Sequence, residues 1–337
     1  MVVAGVMKLL FLTASHTPLA AADDSLLKQL QDSLRRLEKF ENTASPQVAD
    51  AIVIQEAFSF KEWRYVSRLL ADPIIGRYPE KVYTINGDDC ATGLLKGLYT
   101  SLPKSRFCPA LHRAIPYASY PNEAVLRRKN ESNPNPPHLA SWRGNPKSNP
   151  VRTRLLESFS QHPRIKLERT DSWVNHQPNE KERYVNTLLS AKFSLCPAGW
   201  AAATFRIYES MALGRSPVII ADQFVPPKSP KWADYSITVP EAQLASLDGI
   251  LESYESSHQI MGGLARSEWE INFSPDNVAG FYARELLDCI VSAIGKGSRN
   301  SEVRRWKSSA MYWSNRWTLL QRIWTRLIRM ARSWGDK

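Results

Sequence analysis

Residues 192–222 read Lys192-Phe193-Ser194-Leu195-Cys196-Pro197-Ala198-Gly199-Trp200-Ala201-Ala202-Ala203-Thr204-Phe205-Arg206-Ile207-Tyr208-Glu209-Ser210-Met211-Ala212-Leu213-Gly214-Arg215-Ser216-Pro217-Val218-Ile219-Ile220-Ala221-Asp222. The apolar run Phe193–Cys196 predicts a buried strand, and Pro197-Ala198-Gly199 turns the chain. Thr204 is placed to cap a helix running to Leu213, which Gly214 terminates. Pro217–Ala221 is a second buried strand, with Asp222 at its carboxyl end. Strand, helix and strand in succession predict two parallel strands joined by a crossover helix.

The same rhythm runs in both directions. Upstream, strands are expected within Val2–Leu12, at Ala51–Ile54, Lys81–Asn86, Leu139–Trp142 and Arg164–Leu167. Leu26, Leu27, Leu30, Leu34 and Leu37 recur at helical spacing, and helices are expected at 151–159 and 180–189. Downstream, helices are expected at 242–254 and 278–294. Asn133-Pro134-Asn135-Pro136-Pro137 disfavours both helix and central strand. It divides the chain into 1–132, a hinge at 133–138, a body at 139–300 and a tail at 301–337.

Within 192–222, the first turn of the predicted helix offers amides to an anion. Arg206 lies in that turn, where a cation opposes the helix dipole, so local stability does not explain it. Glu209 follows three residues later on the same face. An arginine for a diphosphate and a carboxylate for two ribose hydroxyls would suit a nucleotide sugar. A solvated Arg–Glu pair is the alternative. Asp222 either orients a donor hydroxyl or caps its loop.

These residues resemble the exostosin family of glycosyltransferases. Lys192-Phe193, Leu195, Pro197, Gly199, Arg206, Glu209, Gly214, Pro217-Val218-Ile219 and Asp222 match that family's pattern in order. Trp142-Arg143-Gly144 followed by Arg152 matches a second element upstream. The resemblance covers about 139–227 and weakens before 133. It implies an α/β fold of two Rossmann-like domains facing a cleft, the GT-B type. It also implies an inverting transfer of a hexosyl or pentosyl group from a nucleotide-diphosphate sugar to a glycan or lipid-linked acceptor.

On that resemblance the donor would be held by Arg143, Gly144, Lys192, Pro197, Gly199, Thr204, Arg206, Glu209 and Asp222. Arg206 also serves catalysis by stabilising the departing diphosphate, and Arg152 either assists or lies on the surface. The general base is sought at polar residues just past N-terminal strands: Glu56 first, then Asp88, then His16. Each serves equally well as a loop cap. No resident cofactor or metal is required if arginines and a helix N-terminus carry the diphosphate charge; the nucleotide sugar is a co-substrate. A silent sugar- or nucleotide-binding relative, a basic membrane-surface protein and a fucosyltransferase-like enzyme are the competing readings.

Charge and cysteines narrow the classes. The 337 residues carry a net charge of +11, but residues 301–337 alone hold nine Lys or Arg against two acidic residues. The basicity belongs to the tail, so nucleic acid is not an expected partner. Trp313, Trp317, Leu320, Trp324, Leu327 and Ile328 share one face of a predicted amphipathic helix, with Arg322, Arg326 and Arg329 opposite. This suits either an anionic membrane surface or packing across the domains. The four cysteines have no C-x-x-C spacing, and a reducing compartment is expected over a pair of disulfides. The N-terminus reads as a first strand in preference to a signal peptide. Many exostosin-family enzymes carry an N-terminal anchor and stem. This sequence shows neither, so a bacterial-type cytoplasmic protein at the inner membrane face is expected, with the secretory pathway as alternative.

Overall fold

The computed structural model describes residues 6–12, 24–37, 40–56, 65–89, 91–117, 121–131, 133–171, 177–228 and 231–308. Two parallel sheets organise the chain. The first contains β1 (Met7–Leu12), β2 (Phe40–Asn42), β3 (Ala51–Glu56), β4 (Val82–Asn86), β5 (Lys96–Tyr99) and β6 (His112–Ala114), in the order β2-β1-β3-β4-β5-β6. Helices α1 (Asp24–Arg36) and α2 (Tyr65–Ala71) lie within this half.

Alternation along the strands supplies two buried faces. Leu9, Val53, Tyr83 and Ile85 join one core with Leu26, Leu30 and Leu34 of α1. Leu10, Ile52, Ile54 and Val82 join another with Tyr65 and Leu69 of α2. A parallel sheet requires such covering on both sides.

The second sheet contains β7 (His138–Gly144), β8 (Ile165–Arg169), β9 (Ala191–Pro197), β10 (Ser216–Ile220) and β11 (Ile237–Thr238), in the order β11-β10-β9-β7-β8. Around it run α3 (Glu123–Arg128), α4 (Pro150–Phe159), α5 (Pro178–Leu189), α6 (Phe205–Ala212), α7 (Trp232–Tyr235), α8 (Leu247–Tyr254) and α9 (His258–Glu268). The strand–helix–strand unit read from 192–222 is β9–α6–β10, paired in register from Phe193↔Ser216 to Pro197↔Ile220. The molecule is thus two Rossmann-like α/β domains.

The domain boundaries differ from those the prolines suggest. Helix α3 already belongs to the second domain, where Arg127 pairs with Glu182 at 2.6 Å and Arg128 donates to Asn186 at 2.6 Å. The segment around 133–138 is tied to that domain as well. Asn133 donates to the Leu189 carbonyl at 3.2 Å, and Gln259 donates to that of Pro134 at 2.9 Å. The last helices, α10 (Val278–Ala293) and α11 (Arg299–Trp306), return to the first domain. Arg113 pairs with Asp288 at 2.8 Å, and the Tyr282 hydroxyl donates to the Pro116 carbonyl at 2.5 Å. Trp306 is buried against the α2 face. The reason is coverage: α10 adds Phe281 and Leu286 to the core on the α1 side of the first sheet, and α11 adds Trp306 on the α2 side. The start of the expected tail is therefore part of the first core, while 313–331 and His16 lie outside the described residues.

Candidate active site

In an open α/β sheet, ligands bind where the strand order reverses, beyond the carboxyl ends of the strands. In the second sheet the reversal lies between β7 and β9, which pair through Ala140↔Phe193 and Ser141↔Ser194. The loops after these two strands, 145–149 and 198–204, carry the N-termini of α4 and α6 to the same crevice. Arg152 stands in the first turn of α4 and Arg206 in the first turn of α6.

Both arginines are built into the crevice. The Arg206 guanidinium lies 5.7 Å from the Trp142 ring centre and 5.4 Å from that of Tyr184. One of its terminal nitrogens donates to the Arg143 carbonyl. Arg152 lies 5.9 Å from the same Trp142 ring. It donates to the carbonyls of Ala198 at 2.9 Å, Asn145 at 3.2 Å and Pro197 at 3.4 Å, stapling one loop to the other. Burial, reinforced by the Arg206 charge, pushes Arg152 down to about 10. Among the described residues no carboxylate stands within 4.0 Å of either guanidinium.

Two desolvated cations at two helix N-termini make a strongly electropositive crevice. Three buried polar atoms there have no protein partner among the described residues: Arg206 Nε, Thr204 Oγ1 and Trp142 Nε1. Buried polar groups are ordinarily satisfied. An oxyanion would neutralise the charge and accept from such donors. The two glycines expected here make the room. A Cβ on Gly199 would meet Arg152 Nη2 at 2.8 Å, and one on Gly144 would meet Trp142 at 3.0 Å and Arg206 Nη2 at 3.3 Å.

Glu209 is not paired with Arg206. Its carboxylate accepts from Tyr184 Oη at 2.5 Å and from Asn122 Nδ2 at 3.0 Å. Burial, and then the Glu209 charge, raises the Tyr184 hydroxyl well above its ordinary value, so it remains a donor. Each carboxylate oxygen keeps a lone pair for a further hydroxyl.

Other sequence expectations are placed differently. Arg143 is buried, and its guanidinium is held by Glu168 at 2.6 Å and by Glu180. Lys192 sits at the opposite end of β9 from Pro197, roughly 16 Å away at strand spacing. There it pairs with Glu255 at 2.6 Å, so it is structural and not part of the crevice. Thr204 occupies the cap position of α6, but its hydroxyl makes no capping bond. Asp222 is exposed and caps its loop by accepting from the Glu241 amide at 3.0 Å. Trp142, Tyr184 and Asn122 line the site without having been singled out for it. Only Trp142, inside the Trp-Arg-Gly element, carried a signal.

The first sheet has its own reversal, between β1 and β3. Glu56 ends β3 at this point and is buried. Asn86, at the end of β4, donates to it at 3.0 Å. Burial pushes Glu56 up to about 7, against the lowering effect of its hydrogen bonds. Asp88 is half-buried in a turn closed by its own amide on Asn86 Oδ1 at 2.9 Å. Asp89 accepts from the Tyr117 hydroxyl at 2.7 Å, and the Tyr117 ring stacks on Phe205 of α6 at 4.2 Å. The two domains therefore meet beside Arg206. Among the described residues no group of three His, Cys, Asp or Glu converges on one point, and no helix is long and apolar enough to cross a membrane.

The family model for the Exostosin GT47 domain matches residues 82–254, which include the whole second-domain crevice. A probable glucuronosyltransferase of Oryza sativa subsp. japonica is 36% identical over 107 residues, 31% of this chain and 23% of its own. A probable glucuronoxylan glucuronosyltransferase of Arabidopsis thaliana is 38% identical over 104 residues, 30% of this chain and 21% of its own. The match thus spans less than a quarter of either relative. The crystal structure of an α1,3-fucosyltransferase aligns over 94% of this chain and 95% of its own, at 11% identity and a TM-score of 0.42.

Proposed function

The chain belongs to the exostosin GT47 family, and from that premise we propose that it is an inverting glycosyltransferase using a nucleotide-diphosphate sugar. The observation that carries this reading is the pair Arg152 and Arg206, desolvated at two helix N-termini with no carboxylate among the described residues pairing either of them. The diphosphate is received there. Glu209 accepts hydroxyls of the ribose, and the acceptor enters from the first domain.

An acceptor hydroxyl attacks the anomeric carbon from the face opposite the diphosphate. The new bond joins acceptor oxygen to anomeric carbon, and the bond from that carbon to the phosphate oxygen breaks. The hydroxyl proton passes to Glu56, whose raised value near 7 suits a general base at neutral pH. Negative charge gathering on the departing phosphate is met by Arg206 and the α6 amides, already oriented before reaction.

The plant relatives' names make a glucuronosyl group the first donor to test. In the decisive experiment the purified full-length chain is heated with uridine, guanosine, cytidine, adenosine and thymidine diphosphates. One of them is expected to raise the melting temperature through linkage, and Arg206→Ala is expected to abolish the rise. No rise with any of the five would sink the reading.

A further inference from the structure

We propose that Asp89, Tyr117 and Ser101 together hold a second, unreacting hydroxyl of a neutral acceptor sugar. The inference rests on the transferase reading above and names the contact that selects its acceptor. One phenolic oxygen gathers the group. Tyr117 Oη donates to Asp89 Oδ1 at 2.7 Å and lies 3.5 Å from the Ala203 carbonyl. The Ser101 hydroxyl faces the same oxygen. Asp89 and Ser101 belong to the first domain, whereas Ala203 belongs to the loop that leads into α6 of the second. The Tyr117 ring stacks on Phe205 of α6, with the planes 29° apart. Contacts across the seam of the domains therefore hold the Asp89 carboxylate beside the donor crevice.

Two members of the group have capacity to spare. Ser101 is 5% exposed, and its hydroxyl makes no hydrogen bond of ordinary geometry among the described residues. A buried hydroxyl is ordinarily satisfied. It lines a recess between the domains together with Ala202, Ala203 and Phe224. Of the Asp89 carboxylate oxygens, Oδ1 alone receives a hydrogen bond among the described residues. Burial, and then the Asp89 charge, raises the Tyr117 hydroxyl well above its ordinary value. Tyr117 therefore stays protonated and fixes the carboxylate without competing for the acceptor's proton.

Strand register sets this group next to the base. Glu56 and Asn86 are partners across β3 and β4. The Asp88 amide closes a turn on Asn86, and Asp89 follows. Glu56 and Asp89 thus stand on the carboxyl edge of adjacent strands, which run about 5 Å apart. A pyranose carries hydroxyls on neighbouring carbons, so one can face Glu56 while another faces Asp89. A carboxylate accepts hydroxyl protons, and a serine hydroxyl both donates and accepts. The same carboxylate repels phosphates and uronates, while the arginines attract the diphosphate. Opposite charges on the two sides of Tyr117 sort acceptor from donor.

The test uses the full-length chain as wild type, Asp89→Asn, Tyr117→Phe and Ser101→Ala. Asp89→Asn keeps an oxygen for Tyr117 but loses the charge, and Tyr117→Phe keeps the stack on Phe205. Saturation-transfer NMR titrations are recorded with methyl xyloside, methyl glucoside, methyl galactoside, xylohexaose and the anionic methyl glucuronide. Melting is followed alone and with the five nucleoside diphosphates. At least one neutral saccharide is expected to bind the wild type, and to bind about tenfold more tightly than methyl glucuronide. Asp89→Asn is expected to weaken it about tenfold and to narrow that preference, and the other two variants to weaken it by about threefold or more. The nucleotide-induced rise in melting temperature should be the same in all four proteins. If the three residues only tie the domains together, melting temperatures fall while saccharide affinities stay unchanged, and the proposal is overturned. It is also overturned if no neutral saccharide binds the wild type, or if methyl glucuronide binds as tightly as the neutral sugars. Absence of any nucleotide response in the wild type instead counts against the transferase reading.

Discussion

Arg152 and Arg206 share the Trp142 indole, at 5.9 and 5.7 Å from its centre, although they arise from different helices. Their hydrogen bonds give them different duties. Arg152 spends three donors on carbonyls of two loops, whereas Arg206 binds one carbonyl and keeps a buried Nε unpartnered. Arg206→Ala is therefore expected to lower turnover by about 100- to 1,000-fold with a small change in melting temperature. Arg152→Ala is expected to lower the melting temperature more, by about 2–3 kcal/mol of stability, because three buried carbonyls lose their donor. Paired turnover and calorimetric measurements check this. Equal destabilisation by the two variants would contradict the division of duties.

The glycines give a steric test of the same crevice. Gly199→Ala puts a methyl 2.8 Å from Arg152 Nη2, the flexible end of a side chain. The guanidinium must shift, and the loop staple shifts with it. The expected result is a folded protein whose nucleoside diphosphate affinity falls by about tenfold, read by calorimetric titration. Unchanged affinity would mean that Arg152 does not shape the site.

Much of this was legible because strands and helices here carry strong periods. Phe193–Cys196 and Pro217–Ala221 are buried runs of strand length, with a helical pattern and Gly214 between them. Strand β5 was not legible. It opens with Lys96 and Gly97, and Gly97 sits at φ +138 with its Cα so close to β4 that a Cβ would meet the Thr84 carbonyl at 2.1 Å. Strand β6 is only His112-Arg113-Ala114. The misplacement of Lys192 has a geometric cause. Adjacency in a motif does not say which end of a strand a residue occupies, and five residues of strand cross the whole sheet. Arg143 shows the complementary limit: its charge is already met by Glu168 on β8 and Glu180 on α5, residues that only the fold brings to it.

Glu209 provides the ribose test. Its two oxygens accept from Asn122 and Tyr184, which fixes the carboxylate without saturating it. Glu209→Gln removes the charge and turns one end into a donor facing a donor. Nucleoside diphosphate affinity is expected to fall by about 10- to 100-fold, the effect of losing charge-assisted hydrogen bonds. The same titration with inorganic pyrophosphate should be nearly unaffected, since pyrophosphate has no ribose. A parallel loss with pyrophosphate would move Glu209 from ribose recognition to maintenance of the crevice.

Glu56 couples activity to stability with a definite sign. Burial raises its carboxyl from 4.5 to about 7. Between those values the folded chain holds a proton that the unfolded chain has released. The group's contribution to stability is therefore complete below pH 4.5 and is lost as pH rises through 7. At pH 8 the ionised carboxylate is held at a cost on the order of 3 kcal/mol. Glu56→Gln keeps the side-chain shape without that charge. It is expected to melt higher than wild type at pH 8, with the gain shrinking toward pH 5. It should bind nucleoside diphosphate normally and lose transfer by at least about 100-fold. In the wild type, kcat/KM should fall below about pH 7 as the base becomes protonated. The checks are melting curves of both proteins across pH 5–8 and a pH–rate profile of the wild type. Transfer at the wild-type rate in Glu56→Gln would remove Glu56 as the base, and an unchanged melting difference across that range would remove the buried ionisation behind it.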